Sequence, residues 1–325
     1  MELICPAGTP AAFRVAVDAG ADAVYCGFND QTNARNFPGL NFSREQLLEA
    51  ASYARARAAK TFVAINTFPK AGEQELWRRA VDDAVSIGVD AIILADIGLL
   101  AYAAATHPDQ RLHLSVQAAA SNVDSIRYFV EAFGVKRVVL PRVLSVAEIS
   151  AISAEFACET EVFVFGGLCV MEEGRCSLST YATGQSPNMH GVCSPASHVN
   201  YHRENETLVS RLGAFTINRF ADGEAAAYPT LCKGRFRTAQ TEGYLFEEPA
   251  SLNALELLPA LRQAGVSALK IEGRQRGRAY VEKVVRFFKE ALAAEDATQS
   301  IPKGELSSLT EGQYATTGAY RKTWR

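Results

Sequence analysis

The sequence predicts an α/β fold, a TIM-like (β/α)8 barrel with a cysteine-rich insertion after its seventh strand. Short β-branched runs alternate with amphipathic stretches from the first residue to about residue 165, as expected for repeated strand–helix units around a parallel sheet. An eighth unit follows a long segment that has no clear period. An open doubly wound sheet is the weaker alternative, because no G-x-G-x-x-G follows the first predicted strand.

The predicted elements follow one another at even spacing. Seven strands are predicted before the insertion, at Glu2–Cys5, Ala23–Gly27, Thr61–Asn66, Ala91–Asp96, Arg111–Val116, Arg137–Arg142 and Glu161–Phe165. Helical patterns lie between them, for example at Arg44–Ala58 and Gln74–Ile87. A helix at Leu252–Gln263 precedes the eighth strand, Ala268–Glu272. Glycines separate a helix from the next strand, where a left-handed cap reverses the chain, at Gly20, Gly88, Gly134 and Gly265.

The predicted domain organisation has three parts. Residues 1–167 and 251–294 form the barrel, residues 168–250 form the cysteine-rich insertion, and residues 295–325 form a C-terminal tail or a small appended element. The insertion carries four of the seven cysteines and three of the five histidines. Barrel enzymes place their chemistry at the C-terminal ends of the strands, so we expect the insertion to lie on that face.

Composition excludes several classes of function. The net charge is -3 and the pI is near 6.0, so there is no basic excess for coating nucleic acid. No apolar run approaches the roughly 18 to 20 residues of a membrane span, and the chain enters a strand at once, which leaves no room for a signal peptide. We expect a cytoplasmic protein. Seven cysteines without an export signal argue against a disulfide framework.

Four cysteines of the insertion form the most informative pattern. They are spaced C-x6-C-x16-C-x38-C, at Cys169, Cys176, Cys193 and Cys232. A glycine or proline stands two or three residues before each, so each thiol lies on backbone that can turn tightly around a bulky ligand. Four thiolates can complete the coordination of either zinc or an iron–sulfur cluster.

Spacing alone leaves the choice between zinc and a cluster open. The short C-x2-C knuckles of structural zinc sites are absent, yet three histidines of the insertion could replace a thiol, at His190, His198 and His202. The other two histidines, His107 and His113, are isolated and are expected to be structural. The remaining cysteines are expected to be ordinary core or surface thiols, at Cys5, Cys26 and Cys158.

Polar side chains at the ends of the predicted strands are candidates for substrate binding, because these ends face the active site of a barrel. The candidates are Arg35, Asn66, Gln117, Arg142, Lys270, Glu272 and Arg274, and Asp96 has the same placement. Lys270 and Glu272 share one strand face, so they either pair with each other or bind substrate. Arg142 could clamp a carboxylate with its fork of donors or lie on the surface at the start of a loop. No catalytic residue is identified.

Short motifs along the whole chain carry a family resemblance. They are Gly27–Arg35, Gly39–Phe42, Phe165–Cys169, Gly174–Cys176, Gly191–Pro195, Pro229–Phe236 and Leu269–Arg274. Together they resemble the collagenase-like peptidase family (U-32), most specifically in Asn29–Arg35 and in the four-cysteine pattern. The resemblance implies a 4Fe-4S cluster on the four cysteines of the insertion. It also implies oxygen-independent hydroxylation of ubiquinone precursors by a heterodimer with a UbiV-like protein.

Further expectations come from the same resemblance. The substrate would be a prenylated phenol, prephenate would be the hydroxyl donor, and a lipid-carrier accessory protein of the pathway would be a further partner. A tRNA- or rRNA-modifying hydroxylase and a peptidase-like hydrolase are the alternatives within the family, and a noncatalytic scaffold with a structural metal is a third. The sequence itself gives the peptidase alternative no support, since it contains neither G-x-S-x-G nor H-E-x-x-H.

Overall fold

The computed structural model describes residues 1–294, 304–310 and 314–321. Its strands are β1 (Glu2–Pro6), β2 (Ala23–Cys26), β3 (Lys60–Ile65), β4 (Ala91–Leu94), β5 (Leu112–Leu114), β6 (Arg137–Val139), β7 (Glu159–Gly167), β8 (Val199–Glu204), β9 (Thr207–Leu212), β10 (Phe215–Phe220), β11 (Arg235–Arg237), β12 (Glu242–Tyr244), β13 (Ser251–Asn253), β14 (Ala268–Ile271) and β15 (Ala315–Thr316). Its α-helices are α1 (Pro10–Asp18), α2 (Arg44–Arg55), α3 (Gln74–Ile87), α4 (Ile97–Thr106), α5 (Val123–Phe133), α6 (Val146–Glu155), α7 (Leu178–Thr183), α8 (Pro187–His190), α9 (Leu258–Gln263), α10 (Arg278–Ala293) and α11 (Gly304–Ser307).

Eight parallel strands form a closed barrel. Strands β1 to β7 pair in chain order, and β14 pairs with both β7 and β1, which closes the sheet. The prediction of a (β/α)8 barrel is therefore confirmed. Alternate residues of these strands point inward, where Ile4, Tyr25 and Phe62 belong to a small apolar cluster. The other face of each strand packs against the surrounding helices in one much larger core, which contains Cys5 and Cys26.

The helices begin and end where the sequence places caps. Ser43 and Ser145 form capping boxes at the starts of α2 and α6. Gly88 and Gly134 take the left-handed conformation at the ends of α3 and α5, as predicted. The amphipathic stretch predicted at Gln74–Ile87 is helix α3 with those bounds.

One predicted helix begins too early. The pattern predicts a helix from Leu252, but Ser251–Asn253 is strand β13, which runs antiparallel to β7. A 3-10 turn at Leu255–Leu257 follows, and α9 starts only at Leu258. The apolar residues of this stretch fit both the helical and the strand period. The stretch forms a strand because it pairs with the C-terminal end of the long strand β7.

The insertion contains more regular structure than its sequence suggests. Strands β8, β9 and β10 form an antiparallel sheet, and β11 and β12 form a separate two-stranded ribbon. The short helices α7 and α8 lie between the second and third cysteines of the pattern. The part of the C-terminal segment that the structure describes returns to this region, where β15 pairs with β13 and the Tyr320 hydroxyl donates to the Phe163 carbonyl at 2.5 Å.

Charged side chains occupy the lower half of the barrel interior. Glu161 is fully buried on β7 and contacts Arg137 at 3.3 Å and Lys270 at 2.5 Å. Arg137 also reaches Glu2 and Glu159, each at 2.5 Å. These ion pairs fill space that apolar side chains occupy in most barrels. Within the described part of the chain, no helix is both long and apolar enough to cross a bilayer.

Candidate functional site

Two glycines dock the cysteine segments onto the C-terminal mouth of the barrel. Gly174 has φ +84°, and a Cβ there would lie 1.9 Å from the Gln117 carbonyl oxygen on the loop after β5. Gly191 has φ +68°, and its Cβ would lie 1.7 Å from the Ala34 carbonyl oxygen on the loop after β2. Each glycine stands two residues before a cysteine. Backbone contact that only glycine permits therefore holds two of the thiols at the mouth.

Arg35 is a second link between barrel and insertion. Its guanidinium donates to the Gly191 carbonyl at 2.6 Å, and its Nε lies 4.0 Å from the Glu272 carboxylate. Within the insertion, the Cys176 carbonyl accepts a hydrogen bond from the Asn188 side chain at 2.9 Å. This bond holds the Cys176 segment against helix α8. Arg35 thus binds the insertion directly, in addition to its place at the rim.

Arg142 and Glu173 form a buried ion pair across the same junction. The Arg142 Nε donates to a Glu173 carboxylate oxygen at 2.6 Å, and a guanidinium NH2 group of Arg142 donates to the Gly167 carbonyl. The guanidinium also stacks over the Phe163 ring, 4.0 Å from its centroid. The side chains of Arg142 and Glu173 are only 6% and 4% exposed, so Arg142 is no surface arginine. The carboxylate bound by the Arg142 guanidinium is that of Glu173, which belongs to the insertion.

The four thiols of the insertion lie close enough that a thiolate charge on one would raise the pKa of another. Burial raises the pKa of the Cys169 thiol, and Glu173, Cys232 and Cys193 raise it further. Burial raises the pKa of Cys232 to about 12, with added contributions from Cys193 and Cys176. These interactions join all four cysteines of the pattern into a single group.

Cations surround this group. Arg142 acts on Cys169, and Arg35 and Lys233 act on Cys193, in each case lowering a thiol pKa that burial raises. Lys233 is itself buried and donates to the Ala250 carbonyl at 3.2 Å. The site is therefore arranged to offset negative charge on the sulfurs.

The thiols do not converge as ligands of one metal ion would. Among the described residues, no set of three or more His, Cys, Asp and Glu side chains could hold a single ion. Zinc bound at about 2.3 Å to four sulfurs would need them nearly in contact. Two of the alternative zinc ligands have hydrogen-bond partners of their own, since His202 contacts Glu204 at 3.0 Å and His198 contacts Ser197 at 3.0 Å.

Arg274 is a buried cation at the rim whose partner is neutral. Its guanidinium donates to the Asn33 amide oxygen at 2.6 Å and lies 5.4 Å from the centroid of the Tyr25 ring. No carboxylate of the described residues lies within ion-pair distance of it. Burial lowers the pKa of Arg274 to about 10, Arg35 adds to this effect, and Tyr25 and the more distant Glu272 carboxylate oppose it without reversing it. An anion entering the mouth would relieve this cost.

Lys270 and Glu272 have different partners. Lys270 binds Glu161 inside the barrel, and its ammonium lies 3.9 Å from the centroid of the Tyr25 ring. Glu272 accepts a hydrogen bond from the Gly167 backbone at 3.1 Å. Burial lowers the pKa of Lys270, although Glu161 opposes the shift. The pair Lys270–Glu161 forms the floor beneath Arg274.

The remaining candidates, Asn66, Gln117 and Asp96, have three different surroundings. The Asn66 amide oxygen accepts from the Ala34 backbone at 3.0 Å. The side-chain oxygen of Gln117 is buried without a hydrogen-bond partner, which leaves an acceptor free at the mouth. Asp96 caps helix α4 by accepting from the Leu99 backbone at 2.8 Å.

Sequence reasoning missed several residues of the site. Glu173 and Lys233 lie beside cysteines of the pattern, and Asn33 lies in a segment that carries the resemblance. Their proximity to these motifs was the available signal, but their partners Arg142, Ala250 and Arg274 are distant in the chain. A polar cleft of about 440 Å³ at the other end of the barrel, beside Asp22, contains none of the predicted site residues.

Comparison with known proteins gives the family. The model of peptidase family U32 matches residues 8–320. The tRNA hydroxylation protein P of Escherichia coli K12 is 31% identical over 319 residues, which cover 93% of this chain and 69% of that protein. A 23S rRNA 5-hydroxycytidine synthase of the same organism is 31% identical over 297 residues, 90% of this chain and 39% of that protein. A collagenase of Porphyromonas gingivalis is 28% identical over 304 residues, 90% of this chain and 66% of that protein.

The chain spans only part of each of these relatives, 69%, 39% and 66% of their respective lengths. The solved structure of a U32 peptidase matches 50% of this chain and 68% of its own, with 19% identity and a TM-score of 0.42. The family match covers nearly the whole chain and includes every residue of the site described above. This chain belongs to peptidase family U32.

Proposed function

We propose that the chain is the iron–sulfur subunit of an oxygen-independent hydroxylase that acts in ubiquinone biosynthesis, a protein similar to UbiU. The observation that carries the proposal is the group of four interacting thiols at the barrel mouth, bordered by cations. Two relatives are named for hydroxylation, one of tRNA and one of rRNA cytidine, which supports a shared reaction on different aromatic rings.

The residues present fit a 4Fe-4S cluster better than a zinc ion. The donor set is four thiolates, the usual ligands of such a cluster. The four thiols lie within electrostatic range of one another at the barrel mouth, so one group could be bound by all four. Arg35, Arg142 and Lys233 would offset the negative charge of the thiolates. When bound, the cluster would supply one-electron chemistry next to the mouth.

The rim residues support a carboxylate donor of the hydroxyl group, such as prephenate. Arg274 carries a buried positive charge above the Lys270–Glu161 floor, and its partner Asn33 is neutral. A carboxylate would gain charge-assisted hydrogen bonds from Arg274 and an electrostatic contribution from Arg35. Arg142 is not part of this donor site, since Glu173 and the Gly167 carbonyl already engage its guanidinium.

The partners in this proposal follow the family resemblance. A UbiV-like protein would complete a heterodimer, and a prenylated phenol would be hydroxylated at the mouth that the two chains share. A lipid-carrier accessory protein would present the prenyl chain. Association with UbiV-like protein is tested by coexpression and gel filtration, where coelution at one-to-one stoichiometry is expected and separate elution at micromolar concentration counts against a stable pair.

The metal is tested first. Protein purified without air is expected to contain four irons per chain and to absorb broadly near roughly 400 nm. Replacement of one cysteine of the pattern by Ala, at Cys169, Cys176, Cys193 or Cys232, should remove the iron. Cys5→Ala and Cys158→Ala are the matched controls and should retain it. Stoichiometric zinc in the wild-type protein would contradict the proposal.

The hydroxyl source is tested by isotope labelling. The complex is given prephenate labelled in its hydroxyl oxygen or, separately, labelled water, and the product is analysed by mass spectrometry. Label from the donor is expected, and Arg274→Met should abolish its transfer while iron content is unchanged. Label from water alone would exclude a donor site at Arg274.

A hydroxylase acting on RNA is the second candidate. The tRNA hydroxylation protein P of Escherichia coli is among the chain's relatives, and the match covers 93% of this chain. The net charge of -3 does not favour RNA binding by the chain itself. Deletion of the gene separates the two proposals: anaerobic loss of ubiquinone with unchanged tRNA and rRNA nucleosides supports the first, and loss of a hydroxylated nucleoside supports the second.

A further inference from the structure

The buried pair Arg142–Glu173 lies between the barrel and the first cysteine of the pattern. We infer that these two residues act as positioning residues that set the reduction potential of the group bound by Cys169, with opposite effects. The inference rests on the proposed function, since it requires the cluster. It concerns electron affinity at the site and leaves the identity of the hydroxylated substrate open.

The geometry places both charges at the cysteine segment. Glu173 belongs to the loop between Cys169 and Cys176, and Arg142 holds it through its Nε at 2.6 Å. Arg142 also donates to the carbonyl of Gly167, two residues before Cys169. Arg142 and Cys169 line one small cavity, together with Gly318 of the C-terminal segment. Arg142 therefore binds the backbone carbonyl of Gly167 before Cys169 and the side chain of Glu173 after it.

Burial makes these charges effective over a short distance. The two side chains are 6% and 4% exposed, so water and salt screen them poorly. A negative charge near the sulfur makes addition of an electron less favourable, and a positive charge makes it more favourable. The pair is neutral as a whole, so removal of either partner leaves one uncompensated charge beside Cys169.

The same contacts exclude a simpler role for Arg142. A substrate carboxylate could reach its guanidinium only by displacing Glu173 and the Gly167 carbonyl from a buried position. The opposite signs expected for the two residues also separate this inference from a purely structural role. Loss of packing would weaken the site in the same direction for either substitution.

The experiment is an anaerobic redox titration of the full-length protein, with dithionite and mediators as electron source and the spectrum of the reduced cluster as readout. Glu173→Gln should raise the potential and Arg142→Gln should lower it. We expect each to change the ratio of oxidised to reduced cluster about tenfold at fixed potential, which is about 59 mV for a one-electron couple. The double variant should return close to the wild-type value.

Arg175→Gln is the matched control. Arg175 lies on the same loop, pairs with Glu172 at 3.3 Å and has a side chain 66% exposed, so loss of its charge should leave the potential unchanged. Shifts of the same sign for Glu173→Gln and Arg142→Gln, or no shift in variants with full iron, would overturn the inference.

Loss of iron is handled by charge-conserving variants. If the glutamine variants fail to retain iron, Arg142→Lys and Glu173→Asp should retain it at the wild-type potential, because both charges remain. A shifted potential in these variants would contradict the inference. An iron-free wild-type protein would instead refute the proposed function, so the two failures are distinguishable by iron analysis alone.

Discussion

The floor and the rim of the barrel treat buried charge in different ways. On the floor, Glu161 is held between Arg137 and Lys270, and every charge has a partner of opposite sign. At the rim, Arg274 is also buried, but its hydrogen bond goes to the neutral Asn33. A buried ion that is paired within the chain is part of the structure, whereas one without a counterion is suited to receive a ligand. The presence or absence of a counterion thus distinguishes buried charged residues that stabilise the barrel from those that could bind a ligand.

The largest effect is expected from the floor. Glu161→Gln would leave Arg137 and Lys270 buried without their shared carboxylate, so the free energy of unfolding should fall by about 3–5 kcal/mol. Urea denaturation of the iron-free protein measures it. Asp18→Asn, which removes an exposed partner of Arg57, is the control and should cost less than about 1 kcal/mol. Equal costs for the two variants would show that the floor is not a structural ion-pair network.

The next effect concerns the junction between rim and insertion. Gly191→Ala should displace the third cysteine segment, because its Cβ would lie 1.7 Å from the backbone oxygen of Ala34, and iron should be lost. Gly184→Ala is the matched control, with a similar φ of +70° but no neighbour within 4 Å. It should cost only the left-handed strain of about 1–2 kcal/mol and keep its iron. Full iron in both variants would argue against docking through Gly191.

A smaller effect depends on pH at the solvent-facing edge of the floor. Burial alone would raise the pKa of Glu159, but hydrogen bonds from Arg111 and Arg137 outweigh it and lower the pKa below 4.5. A carboxyl group whose pKa is lowered by folding stabilises the folded state at pH values above its unfolded pKa. This stabilisation is lost as the pH falls through the folded pKa. Glu159→Gln should therefore be less stable than wild type at pH 7, by less than about 1 kcal/mol because the side chain is partly exposed, and the difference should diminish as the pH falls below 4.5 and through the folded pKa. A difference that does not shrink at all as the pH falls below 4.5 would contradict this assignment.

The smallest effect on stability is expected at the rim. Arg274→Met removes a buried cation that has no carboxylate partner among the described residues, so stability should stay within about 1 kcal/mol of wild type or increase. Thermal unfolding with and without prephenate gives the second half of the test. The ligand should raise the melting temperature of the wild-type protein but not of the variant. Strong destabilisation by Arg274→Met would make Arg274 a scaffold residue like Arg137.

Much of the barrel could be predicted from the sequence. Helix α3 has the predicted bounds, and the left-handed caps lie at Gly88 and Gly134 as expected. These features depend on hydrophobic period and on backbone conformations that glycine favours, both of which are local. The strand at Ser251–Asn253 was missed because its pairing partner, β7, lies more than eighty residues away in the chain.

The site shows the same division. Its cysteine pattern is visible in the sequence, but the roles of the charged candidates are not. Arg142 was expected either to bind a substrate carboxylate or to lie on the surface, and it binds Glu173 instead. Lys270 was expected to pair with Glu272 or bind substrate, and it pairs with Glu161. A strand position predicts which way a side chain points but not which distant side chain meets it.

The sequence by itself determined the barrel and the spacing of the four cysteines, because periodicity, glycine placement and residue chemistry are properties of short segments. Only the tertiary structure decided which cations are compensated. Arg142 and Arg274 have the same side chain and both follow barrel strands, yet one pairs with a carboxylate from the insertion and the other donates to the neutral Asn33 amide. Closure of the barrel and docking of the insertion bring these partners together across gaps of 31 and 241 residues, and the energy of a buried charge depends on those neighbours.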